Sequence, residues 1–277
     1  MIVAMFTLQI LLVVIGPLLL AWWIHRRFGA SWSSWGWGAL TWTASQMLLR
    51  IPLLAVVTIA LRGRFAEMDP DTAFWINLVV LTLSAALFEE VGRYLVMRYL
   101  GKKVRDWKEG VMFGAGHGGI EAILLVGLSA AVSLALILAG ERLLSLVQNT
   151  SPEQADLLRQ QIESLRSMAW WMPFLGVWER VLAITFHISA SLLVLRAVVH
   201  GEQRWLWLSV LWHTFLNAAA LLAVRYTNPV ATEGILTLIT VLAVVIILRS
   251  RAWFPLGQGA TESGGQGESG VDTGAIR

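Results

Sequence analysis

Long apolar runs alternate with short polar joints along this chain. Seven stretches hold enough consecutive apolar residues for a helix to cross a bilayer: residues 3–24, 38–61, 72–98, 110–140, 174–199, 204–224 and 230–249. Each is apolar on all faces, whereas the strands of a membrane barrel alternate apolar and polar residues. The pattern therefore predicts an all-α polytopic bundle of about seven transmembrane helices, forming one integral-membrane domain over residues 1–254. The first run has no basic segment ahead of it and no small-residue cleavage site before Arg26, so it reads as a retained helix rather than a signal peptide.

Two segments break the pattern. Residues 141–171 are polar and predict an outer-side loop with one short surface helix. Ser151, Pro152 and Gln154 read as an N-cap, a first-turn proline and a capping-box partner. Leu158, Ile162, Leu165 and Ala169 then form an apolar stripe at helical spacing. Residues 257–277 are Gly/Ser-rich with few apolar positions and predict a disordered tail.

Composition agrees with a membrane protein: 57% of residues are hydrophobic and 14% charged, against about 25% charged in an average soluble domain. A net charge of +3 is no phosphate-binding surface, so no nucleic-acid partner is expected, and the partner is membrane lipid. The absence of cysteine excludes disulfides, thiolate metal sites and a cysteine nucleophile. Lys and Arg number eleven in the odd-numbered joints and C-terminus (among them Arg26, Arg27, Arg98, Lys102, Lys103, Arg105 and Lys108) and six in the even-numbered joints. The positive-inside rule then places the N-terminus outside and the C-terminus in the cytoplasm, with the chain in the cytoplasmic membrane. Many of the 15 Trp residues, such as Trp22, Trp23, Trp107, Trp170 and Trp171, fall near span ends as interface anchors.

Ionisable residues inside a bilayer are costly and face a bundle interior. The predicted spans carry Glu89, Glu90 and Arg93 on the third, His117 and Glu121 on the fourth, His187 on the fifth, and His213 and Asn217 on the sixth. Glu179–Arg180 lies nearer the outer end and reads as a structural ion pair, and the second span has only Gln46 and Arg50. Glu89, His117, His187 and His213 each lie about nine residues, roughly 14 Å, from a basic span end. Four helices thus bring polar groups to one layer, within residues 72–224, which predicts a single buried site. Glu89/Arg93, His117/Glu121 and His213/Asn217 are i,i+4 pairs, so each helix turns a polar patch one way. Glycines 114, 116, 118 and 119 around His117 allow close helix packing or close approach of a substrate backbone.

This set permits two hydrolytic schemes. Adjacent carboxylates in a low dielectric cannot both ionise easily, so Glu89 or Glu90 can activate water, with Arg93 keeping one of them charged and a histidine or Asn217 donating to an oxyanion. Alternatively His117, His187 and His213 hold a zinc ion with an open position. A seryl mechanism lacks a Gly-x-Ser-x-Gly elbow, and no Asp lies in any predicted span. A non-enzymatic proton or ion relay would use the same residues.

Glu89-Glu90-x-x-Arg93, Phe113-x-x-x-His117 and His213-x-x-x-Asn217, in this order, resemble the CAAX-protease and bacteriocin-processing superfamily of intramembrane proteases, to which PrsW-type proteases are related. The YhfC branch is most similar, through Gly116-His117-Gly118-Gly119-Ile120-Glu121-Ala122, Glu179-Arg180 and His187 as well. In the CAAX proteases one more residue separates the glutamates from the arginine. The resemblance implies an intramembrane, metallo- or glutamate-type peptidase acting on peptides within or beside the bilayer, with Glu89, Glu90, Arg93, His117, Glu121, His187, His213 and Asn217 as its site. A scaffold that kept the fold without activity is the further alternative.

Overall fold

The structure, a computed structural model, describes residues 1–148 and 151–254, and the tail expected over 257–277 lies outside the described residues. Every regular element among the described residues is helical. Seven helices are long and apolar enough to cross a membrane: α1 (Ile2–Phe28), α2 (Trp32–Ala66), α3 (Pro70–Leu100), α4 (Trp107–Val147), α6 (Met172–His200), α7 (Arg204–Tyr226) and α8 (Pro229–Trp253). Between α4 and α6 lies α5 (Pro152–Ser167).

Local chemistry sets the helix ends. Asp69, Asp106 and Asn228 each accept a hydrogen bond from the backbone N–H three residues on, at 2.9, 3.0 and 3.0 Å, and so start α3, α4 and α8. Gly29 and Gly201 close α1 and α6 with φ of 69° and 71°, where a side chain would be strained. Ser151 stands at the start of α5, as expected, but its side chain makes no capping hydrogen bond. The α5 stripe packs back onto the bundle: Ile162 is buried against Gly140 and Leu144 of α4.

The central helix is α6, whose apolar stretch is 78% buried against 11–22% for the other six spans. Polar residues on α6 therefore face protein rather than lipid. Against it α4 lies almost backbone to backbone. Gly110, Gly114 and Gly118 form a small-residue row facing Leu192 and Leu195, Ile188 and Ile184 of α6. On its other side α4 meets α2, where a Cβ on Gly116 would overlap the Trp35 carbonyl and one on Gly38 would overlap the Phe113 carbonyl. Neighbouring helices, through backbone at Gly38, Gly114 and Gly116 and side chains at Gly110, rather than open space for a substrate, fill the room these glycines leave. Wide π-helical turns interrupt α2 at Thr43–Arg50 and α4 at Ala122–Gly127. The first carries Gln46 and Arg50, and the second directly follows Glu121, a common placement of such turns beside functional sites.

Candidate active site

On α3, Glu89, Glu90 and Arg93 are all buried, and Arg93 pairs with both glutamates: Nη1 with Glu90 Oε1, and Nη2 with Glu89 Oε2 at 3.4 Å. His117 on α4 places Nε2 2.8 Å from Glu89 Oε2. His187 on α6 places Nδ1 2.7 Å from Arg93 Nη2 and 3.9 Å from Glu89 Oε2, and Nε2 2.6 Å from Glu121 Oε2. A guanidinium only donates, so His187 Nδ1 accepts, and the proton on Nε2 is given to Glu121. His213 on α7 sets Nδ1 2.7 Å from Glu90 Oε1, while Ser209 Oγ donates to Glu90 Oε2 at 2.7 Å. The His117 and His187 rings lie 5.0 Å apart between centroids, and His187 and His213 lie 5.7 Å apart. The four polar helices thus meet at one point.

Beside this knot is a cavity of about 250 Å³. Its polar wall is Gln46, Arg50, Glu89, Glu121, Glu179, Arg180, His187, His213 and Asn217, with Trp42, Phe186 and Leu216 among the apolar residues. Glu90, Arg93 and His117 lie behind that wall, and Glu90 has both oxygens engaged. Asn217 lines the cavity one turn beyond His213, on the same face of α7.

The family described as YhfC intramembrane metalloprotease matches residues 9–242. The chain belongs to this family. It is 36% identical over 247 residues, 86% of this chain and 92% of the relative, to the uncharacterized membrane protein YhfC of Bacillus subtilis (strain 168). No solved structure matches. In this member of the YhfC family, α2 to α7 and the buried Glu/His cluster fall within the matched residues, as do most of α1 and part of α8.

The family name implies a metal, and the donors present fit one. One atom each from Glu89, His117 and His187 lies within 4.8 Å of the others, and all three residues are buried. Two imidazoles and a carboxylate are a catalytic zinc set. His187 gives its other N–H to a carboxylate, the usual second contact of a metal-bound imidazole. His117 Nδ1 is buried without a partner. The geometric group differs from the three-histidine set expected from sequence: Glu89 takes the third place, and His213 turns Nδ1 to Glu90 instead.

Other contacts were not legible in the sequence. Gln46 Nε2 donates to Glu89 Oε1 at 2.5 Å, and Gln46 Oε1 accepts from Arg50 at 2.9 Å. The signal was present, since a Gln and an Arg at i,i+4 within an apolar run need a buried face. Arg180 does more than pair with its neighbour Glu179, because it also holds Glu121 at 2.9 Å and lines the cavity. Ser209 precedes His213 by four residues and so shares its face, but a serine in an apolar run is too common to stand out.

Proposed function

We propose that this protein hydrolyses peptide bonds within or beside the bilayer, with a zinc ion held by Glu89, His117 and His187. The convergence of those three buried donor groups to within 4.8 Å carries the reading. When bound, such an ion polarises a carbonyl and makes water acidic enough to attack at neutral pH. The chain's own residues do the rest. Glu121, itself held by Arg180, fixes the His187 proton on Nε2 and leaves the Nδ1 lone pair toward Arg93 and Glu89. Glu90 accepts the His213 Nδ1 proton, so Nε2 carries the lone pair that takes a proton from water and later returns it to the leaving amine. Asn217, on the cavity wall, donates to the carbonyl oxygen as charge builds there. The excess of Lys and Arg at the α3–α4 joint supports a cytoplasmic placement of that end, with the N-terminus outside.

One observation favours a metal-free variant of the same hydrolysis. Arg93 Nη2 lies against two of the three donor residues, Glu89 and His187, and supplies positive charge where the ion would sit. Glu89, which lines the cavity, would then activate water directly.

Metal content of the detergent-purified protein separates the schemes. The zinc reading expects near one zinc per chain in wild type and in His213→Gln, and loss in His117→Ala and Glu89→Gln. Zinc lost equally from His213→Gln restores the three-histidine set. No zinc after loading, together with cleavage abolished by Glu89→Gln, establishes the glutamate scheme. No cleavage but pH-gradient-driven uptake in proteoliposomes turns the site into an ion relay.

A further inference from the structure

Arg50 sits near the centre of the 35-residue α2, where an isolated charge is costly. The two other arginines of the polar knot are each matched by carboxylates, Arg93 by Glu89 and Glu90, and Arg180 by Glu121 and Glu179. No carboxylate among the described residues makes a direct ion pair with Arg50, and Glu89 reaches it only across Gln46. Its Nε donates to Ser84 Oγ at 3.0 Å, Nη1 to Gln46 Oε1 at 2.9 Å, and Nη2 to the Leu81 carbonyl at 2.7 Å. All three acceptors are neutral. A guanidinium has five N–H groups, so one on each Nη remains without an acceptor among the described residues. These contacts also hold the side chain in one place, on the wall of the cavity that contains Glu89, His187 and His213.

We propose that Arg50 is a specificity-determining residue that receives a carboxylate of the substrate peptide. The inference rests on the peptidase reading of the same cavity. A carboxylate entering the cavity accepts the two free N–H groups and supplies the anion Arg50 lacks. Pairing the carboxylate with this half-buried arginine rewards that substrate over a neutral analogue, because the analogue leaves the mid-span cation without an anion in contact. Gln46 sets the spacing, because its amide joins Arg50 to Glu89 through bonds of 2.9 and 2.5 Å. The carboxylate therefore docks within ~10 Å of the Glu89 carboxyl, about three residues of extended chain. Cleavage falls near a free C-terminus or near an acidic side chain, not at an arbitrary point of an apolar segment.

The test uses the full-length, zinc-loaded protein in detergent and an N-acetylated apolar hexapeptide in three forms: the free acid, its C-terminal amide, and the amide with glutamate at the penultimate position. Binding is measured by calorimetry and cleavage by mass spectrometry, for wild type, Arg50→Gln and Arg50→Lys. Wild type is expected to bind a carboxylate-bearing form roughly 10- to 100-fold more tightly than the plain amide, the range of a charge-assisted hydrogen bond. Preference for the free acid identifies a C-terminal carboxylate as the ligand, and preference for the glutamate amide identifies a side chain. Arg50→Gln removes that preference and raises KM for the preferred peptide, leaving kcat and zinc content near wild type. Arg50→Lys keeps part of the preference, since it keeps the charge without the planar fork. Equal binding of all three peptides by wild type, binding of none, or an Arg50→Gln loss shared by acid and amide overturns the proposal. Carboxylate-selective binding without cleavage keeps Arg50 as the anion site and removes the peptidase reading.

Discussion

The near backbone contact of α4 and α6 makes Gly114→Ala a sharp probe of the whole site. An added Cβ would stand 2.5 Å from Ile188 Cα, 2.9 Å from the His187 carbonyl oxygen and 3.0 Å from the Ile188 nitrogen, against 3.4–4 Å in ordinary contact. All three atoms are backbone, so no rotamer change relieves the overlap, and the helices must part by about 1 Å at this level. Overpacking of this kind costs about 1–3 kcal/mol. His117 lies one helical turn from Gly114, and His187 is the immediate neighbour of Ile188, so the parting pulls apart two of the three residues proposed to hold the metal. Functional constellations tolerate about 0.5 Å. Gly114→Ala is therefore expected to unfold several degrees below wild type by a thermal-shift assay in detergent. In chelator competition it is expected to bind zinc at least roughly 10- to 100-fold more weakly, the effect of losing an outer-shell partner. Gly63→Ala on α2 and Gly234→Ala on α8 serve as controls, because a Cβ there meets nothing within 4 Å. They should be neutral or gain up to about 1 kcal/mol of helix propensity. Wild-type melting and zinc affinity in Gly114→Ala would refute the claim that this contact sets the site geometry.

Three further outcomes follow from the hydrogen bonds. Glu121→Gln keeps a side chain of the same size but weakens the acceptor that fixes His187; zinc affinity should fall roughly 10- to 100-fold by competition titration, and an unchanged affinity removes Glu121 from the metal's support. His213→Gln should keep zinc yet lower kcat by about 10²–10⁴, the range of a lost general base, measured on any peptide wild type cleaves. A kcat within a few-fold of wild type assigns the proton transfer elsewhere. Ser209→Ala withdraws one hydrogen bond from the buried Glu90; a stability loss of about 1–3 kcal/mol is expected by chemical denaturation in detergent micelles, and no change would mean Glu90 is satisfied by other groups.

Much of this molecule is legible along the chain because bilayer physics is severe. Apolar runs of sufficient length fix seven spans, and the cost of burying charge marks Glu89, Arg93, His117, His187 and His213 as inward-facing. The fixed rise of a helix even places the glutamate and the histidines at one depth, so their shared layer was readable from the sequence. The helix α5 was legible from Leu158, Ile162 and Leu165 at helical spacing, whereas Ala169 of the expected stripe lies beyond its end and is exposed. What the sequence alone cannot supply is rotation between helices and the partner of each polar atom. Three histidines at one depth look equivalent in a sequence, but the direction in which each helix turns its side chain separates them. His117 and His187 share a point with Glu89, while His213 is taken by Glu90. Likewise the glycines around His117 could have served a substrate or a neighbouring helix, and only the tertiary packing against Trp35 and Ile188 decided for the helix. The same holds for Arg50, whose mid-span charge was visible from the start, but whose lack of a direct ion pair among the described residues appears only in the tertiary structure. Hydrophobic periodicity is a one-dimensional property and survives in the sequence, whereas hydrogen-bond pairing across helices depends on three-dimensional register, which folding alone sets.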